Sequence, residues 1–206
     1  MPATQPPFVV SSLRINQQRN ALLMLLYMVI FGTFAFAVSG AFRAVRYELD
    51  LFGVIALAVA TGVGGGIVRD VLLGVAPPLA LVDQSYVLIC VCAALVVFYA
   101  APRIASRWDT VLAADAVGLA VFTAIGAAKA ESLEAVPLTV VLMGVITACG
   151  GGIIRDILVR EIPAVLTHDF YATAALVGAS VYVGLGSLDC SQAVRLSITM
   201  VVTLLL

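Results

Sequence analysis

Displaced by 86 positions, the chain lies over itself without a gap. Residues 32–77 match residues 118–163, and 17 of those 46 columns are identical. The matched pairs include Gly32/Gly118, Phe36/Phe122, Gly40/Gly126, Glu48/Glu134, Thr61/Thr147 and Pro77/Pro163. Arg43 falls opposite Lys129, which keeps the charge. The densest block sets Gly64, Gly65, Gly66, Ile67, Val68, Arg69 and Asp70 over Gly150, Gly151, Gly152, Ile153, Ile154, Arg155 and Asp156. Whatever fold the chain adopts must therefore be assembled from two copies of one unit.

The unit is apolar. Of 206 residues, 63% are hydrophobic and 11% charged, with a mean hydropathy of +1.14. Soluble domains run near 45–50% apolar and about 25% charged. A net charge of −1 leaves no basic face for phosphates, so no nucleic-acid partner is expected. A membrane helix needs roughly 20 apolar residues. Seven runs are candidates: 21–42, 51–74, 85–101, 111–129, 135–159, 170–186 and 191–206, the last short at 16 residues, about 24 Å against a core of roughly 30 Å. Arg14, Arg19 and the later Ala35-Phe36-Ala37 resemble a signal peptide, but most of that run has a counterpart in the second copy, which argues for a retained span. The expected organisation is an N-terminal segment, 1–20, and one membrane domain, 21–206. That domain comprises a first repeat over about 21–101, a second over about 111–186 and a last helix over 191–206.

Three spans per repeat is an odd number, so the second copy must enter the membrane from the opposite side. The expectation is an all-α membrane fold with two inverted three-helix repeats, related by a pseudo-two-fold axis in the membrane plane, plus a seventh helix. Away from the spans, Arg43, Arg46, Arg103, Arg107 and Arg160 fall on one side, and Arg14, Arg19 and Lys129 on the other. That bias places the N-terminus outside and the C-terminus in the cytoplasm. The four cysteines, Cys90, Cys92, Cys149 and Cys190, form no Cys-x-x-Cys pair and read as packing residues.

Each glycine in a helix interior costs about 1 kcal/mol relative to alanine. Three in a row predict that the second and fifth spans, those carrying Gly64, Gly65, Gly66 and Gly150, Gly151, Gly152, are broken helices lining a cavity, where a transport site forms. Close helix packing is the alternative use of such runs. Arg69, Asp70, Arg155 and Asp156 lie inside apolar spans, where ionisable groups face a cavity or pair with one another. Adjacent helical residues diverge, so the expected pairs are crossed: Arg69 with Asp156 and Arg155 with Asp70. The freed carbonyls around 60–62 and 146–148, with the Thr61 and Thr147 hydroxyls, would offer oxygens to a transient monovalent cation. Ser39, Thr123 and Ser180 could extend the polar track, and Lys129 could gate it. Asp115 and Arg195, near span ends, are expected to be solvated or snorkelling. His168, the single histidine, sits in a connection. No nucleophile–base pattern, tight metal-ligand cluster or phosphate loop is present, so neither an enzyme nor a bound cofactor is expected.

A Gly-Gly-Gly-[Ile/Val]-x-Arg-Asp element in each of two three-span repeats, followed by a seventh span, resembles the TRIC family of trimeric intracellular cation channels, in its prokaryotic form. It is also similar to bacterial membrane proteins with a glycine-transporter-like domain. The resemblance implies a homotrimer in the prokaryotic cell membrane, surrounded by lipid, with one ion path per protomer between the two broken helices. Potassium would be the main permeant ion, with sodium also passing. Gly64, Gly65, Gly66, Gly150, Gly151 and Gly152 would be the kinks, and Arg69/Asp70 and Arg155/Asp156 the pore-side charges. The alternative it leaves open is a secondary transporter of a small solute such as glycine.

Overall fold

The computed structural model describes residues 7–104, 108–167, 171–188 and 190–206, and within them nine helices. These are α1 (Pro7–Arg46), α2 (Leu51–Leu72), α3 (Leu79–Val82), α4 (Ser85–Ile104), α5 (Trp108–Ser132), α6 (Pro137–Leu158), α7 (Ala164–Thr167), α8 (Tyr171–Gly186) and α9 (Gln192–Leu205). Seven are membrane-class helices. Four of them, over Leu23–Arg46, Leu51–Leu72, Leu112–Ser132 and Pro137–Leu158, are long and apolar enough to cross a bilayer alone; α4, α8 and α9 contain shorter apolar helices. The first starts well before residue 21, because residues 8–31 contain neither glycine nor proline to stop a helix. His168 lies outside the described residues.

Each half packs as a unit. In the first, α1 lies against α2 and α4, and α2 against α4; in the second, α5 lies against α6 and α8, and α6 against α8. The halves meet along α1–α5 and α2–α6, while α9 covers α5 and α8. Equivalent residues meet across that seam. Phe36 stacks on its counterpart Phe122 with ring centroids 5.3 Å apart. Gly65 faces the Thr147 carbonyl and Gly151 faces the Thr61 carbonyl, so i meets j′ while j meets i′.

The helix ends repeat as well. Glu48 and Glu134 close α1 and α5 with φ of 54° and 57°, and Gly74 and Arg160 follow α2 and α6 with φ of 71° and 60°. After each long helix a backbone N–H reaches back five residues, as Leu49 to Ala44, Ala135 to Ala130, Val75 to Asp70 and Glu161 to Asp156. Left-handed backbone costs an L-residue roughly 1–2 kcal/mol, and glycine escapes that cost. Arg160, an exposed side chain at such a position, should therefore accept glycine with a gain of about 1 kcal/mol. Thermal unfolding in detergent should show the Arg160→Gly midpoint higher by about 2–4 °C; an unchanged or lowered midpoint would mean that the arginine side chain stabilises the turn.

The expected break at the glycines is not there. Both α2 and α6 run as uninterrupted helices through Gly64, Gly65, Gly66 and Gly150, Gly151, Gly152. The missing side chains serve contact instead. A Cβ on Gly65 would collide with the Thr147 carbonyl, one on Gly151 with the Thr61 carbonyl, and one on Gly150 would stand 3.0 Å from the Gly65 Cα. Backbone-to-backbone packing offsets the low helix propensity of glycine, and an intact ladder leaves no amide without a partner in an apolar surrounding.

Candidate functional site

The carbonyls at 60–62 and 146–148 stay within helical segments, so no freed ligand set forms at the crossing. The Thr61 hydroxyl donates to the Leu57 carbonyl at 2.6 Å, and that of Thr147 to the Met143 carbonyl. Both threonines are fully buried against Gly40 and Gly126. The expected cation position beside them is therefore closed in this conformation. Thr123 likewise donates to its own backbone, at the Leu119 carbonyl, 2.8 Å away. Threonine in an apolar helix finds its nearest acceptor one turn back.

The charged residues form two clusters. In the first, the Arg69 Nε and Nη2 both donate to Asp70 Oδ1, at 2.9 and 2.7 Å. In the second, Arg155 Nε donates to Asp156 Oδ1 at 2.8 Å. The crossed pairing expected from the sequence is thus replaced by pairing between neighbours. Their Cβ atoms diverge, but the guanidinium stem is long enough to fold back across the last turn of the helix. The aspartates are fixed from outside as well: Leu79 N–H donates to Asp70 Oδ2 and Ala164 N–H to Asp156 Oδ2, each at 2.9 Å. Each aspartate thereby holds the start of a short helix, α3 or α7, in the connection that follows.

Around Arg155 the second cluster continues inward. Its Nη1 donates to the Ser39 hydroxyl at 2.6 Å and pairs with Asp115. Ser39 donates to Asp115 Oδ1 at 3.0 Å, and the Tyr171 hydroxyl to Asp115 Oδ2 at 2.9 Å. Arg43, from the end of α1, reaches Asp156 at 3.3 Å and Glu161 at 2.6 Å, and Tyr47 donates to Glu161. That last bond, outside the spans, pushes the Tyr47 phenol up from its ordinary value. Asp115 is buried, not solvated: it is the principal counter-charge of an arginine that is itself 1% exposed. The sequence carried a signal for this, since an acid one turn inside an apolar span needs a partner.

The first cluster opens onto a cavity of about 310 Å³ between α1, α2, α4 and α5. Arg69, Asp70, Thr33, Tyr86, Lys129, Ser132 and Gln192 supply its polar groups, and its remaining wall is mostly apolar. Gly62 and Gly66 line it too, while Gly64, Gly150 and Gly152 do not. The Thr33 hydroxyl is buried without a hydrogen-bond partner, and Lys129 makes no ion pair among the described residues. Arg195, expected to snorkel, is buried: it pairs with Glu131 at 2.6 Å and lies 4.1 Å over the Tyr182 ring, whose hydroxyl donates to Glu131 at 2.8 Å. This ties α9 to the end of α5, beside Lys129. The four cysteines are free thiols.

The site thus joins Arg69, Asp70 and Lys129 in one cluster and Ser39, Arg155 and Asp156 in another. Thr61, Gly65, Thr147 and Gly151 lie at the helix crossing, and Thr123 stands apart in α5.

The family model described as Glycine transporter matches this chain twice, over residues 26–102 and 112–187. A UPF0126 membrane protein of Vibrio cholerae is 46% identical over 157 residues, spanning 75% of this chain and 65% of that protein's length. The UPF0126 inner membrane protein YadS of Escherichia coli is 44% identical over 162 residues, 77% of this chain and 78% of its own. Among solved structures, the TRIC trimeric intracellular cation channel orthologue from Rhodobacter sphaeroides superposes with a TM-score of 0.86 and 38% identity. That match covers 88% of this chain and 94% of the other. A prokaryotic TRIC channel solved in 0.5 M KCl gives 0.82 and 37%, over 89% and 95%.

Proposed function

This chain belongs to the family described as Glycine transporter, and we propose that within it the protein is a monovalent-cation channel of the TRIC kind. The observation that carries this is a shared fold over almost the whole of both chains, at a TM-score of 0.86. The protein is a channel and not an enzyme, sits in a bacterial inner membrane and assembles there as a trimer. Potassium is the main permeant ion and sodium also passes. The chain forms a single membrane unit of two inverted repeats with a seventh helix; reciprocal contacts across the α2–α6 seam and the double match of the family model support that arrangement. The N-terminus lies outside and the C-terminus in the cytoplasm.

The path runs within each protomer along α2 and α6. At one end it passes the cavity with Arg69, Asp70 and Lys129; at the other it passes Ser39, Arg155 and Asp156. Between them Gly65 and Gly151 hold the helix backbones in contact, so conduction requires the crossing to part beside Thr61 and Thr147.

Purified protein in liposomes under a potassium gradient tests this, with a voltage-sensitive dye as readout. A potassium diffusion potential that needs no second solute is the expected result, and silence would overturn the reading. One observation favours a second reading, carriage of a small carboxylate such as glycine. The cavity offers Arg69, Lys129 and the unpartnered Thr33 hydroxyl to an anionic group. Saturable glycine uptake without a potassium potential would decide for it.

A further inference from the structure

The repeat gives both ends of the path the same three charges. Arg69, Asp70 and Lys129 at one end are matched, 86 positions apart, by Arg155, Asp156 and Arg43 at the other. On those residues alone each end is net positive by one charge. The ends are far apart: α2 begins next to the end of α1, and Arg69 lies 18 residues further along, about 27 Å at 1.5 Å per residue.

Two further acids enter only the second cluster. Asp115 pairs with Arg155 and Glu161 with Arg43. Their counterparts under the same displacement are Val29 and Val75, which carry no charge. The Ser39 hydroxyl that bridges Arg155 and Asp115 is matched by Ile125. At the first end the nearby acid is withdrawn: the Glu131 carboxylate is held by Arg195 and Tyr182 and neutralises the former. Asp83 and Glu134 at the first end, which do not line the cavity, and Arg46 and Arg160 at the second are all exposed, and charges on the outer rims are screened by salt. The cluster around Arg155 is thus net negative by one, and the one around Arg69 and Lys129 net positive by one.

We propose that these opposite fixed charges make the channel an intrinsic rectifier, with Lys129 and the Asp115–Glu161 pair of acids setting its direction. The inference rests on the channel reading above. A cation is concentrated at the Arg155 end and depleted at the Lys129 end, so current driven from the former to the latter exceeds the reverse. A unit charge about 6 Å from the path changes local cation concentration about two- to threefold at 0.1 M salt or below; near 1 M the Debye length shrinks to about 3 Å and the effect fades.

The test is the current–voltage relation of single channels in planar bilayers, with the same KCl solution on both sides. At about 0.1 M, currents at equal and opposite voltages should differ by about twofold or more, and at about 1 M they should be nearly equal. Lys129→Met, at a half-buried position, should straighten the low-salt curve. Val29→Asp, which gives Arg69 the counter-charge that Asp115 gives Arg155, should do the same. A straight wild-type curve at low salt, or rectification kept by Lys129→Met, would overturn the proposal. Absence of any current in the wild type would instead overturn the channel reading beneath it.

Discussion

Alanine at position 65 should destabilise the protein while alanine at position 66, the next residue, should not. A Cβ on Gly65 meets the Thr147 carbonyl head on and stands 3.2 Å from the Gly151 amide nitrogen. Both are backbone of a packed helix and neither can give way cheaply. Overpacking of this kind costs typically 1–3 kcal/mol, and leucine there should exceed that range. At Gly66 the only atom of the described residues near an added Cβ is the end of the Arg69 side chain, 3.9 Å away. Helix propensity then gains about 1 kcal/mol. Opposite signs at consecutive glycines follow only if the glycines serve contact. Thermal unfolding of the two variants in detergent decides it. Equal damage at both would show that the run is not there for contact alone, and would restore the broken helix that the sequence suggested.

Asp115→Ala should cost about 3–5 kcal/mol, the usual penalty for stranding one partner of a buried pair. It removes the acid that faces the Arg155 Nη1 and leaves the Tyr171 hydroxyl without its acceptor. Asp156, which Arg155 already shares with Arg43, would be the one acid left to it among the described residues. Asp115→Asn keeps one acceptor oxygen, for Ser39 or for Tyr171, and loses the other along with the charge, so it should fall between wild type and alanine. Ser180→Ala, at an exposed residue whose hydroxyl bonds its own helix, should stay within about 0.5 kcal/mol. A loss below 1 kcal/mol for Asp115→Ala would mean that water or Asp156 takes over the arginine.

These expectations also show which layer of the molecule could be read from the sequence. The number of apolar helices was legible because it is a statement about length and hydropathy, four of them meeting the spanning length outright and three falling short of it. The Gly64, Gly65, Gly66 run was misread because propensity is a local quantity, whereas the contact that repays it, Gly65 on Thr147, comes from a helix 86 positions away. The crossed Arg–Asp pairs failed for the opposite reason. Helical divergence of neighbours holds at Cβ, and Arg69 escapes it because its Nε and Nη2 lie three and five bonds beyond Cβ. Asp115 and Arg195 were set aside as interfacial because each lies near a span end. Burial there depends on what packs outside the span, α8 in one case and α5 with α8 in the other. The two residues hardest to see, Val29 and Val75, matter through what they lack, which only the pairing of the halves in space reveals.

The exchange of Asp115 for Val29 gives the molecule a head and a tail. A chain built from the first half twice would carry neither Asp115 nor Glu161, leaving both doorways repelling cations. The second half used twice would place those acids at both. The halves of this chain are therefore no longer spare copies of one another. Their fusion in a single polypeptide preserves a polarity that separate, identical halves could not encode, and turning the protein over in the membrane would reverse its electrical sense.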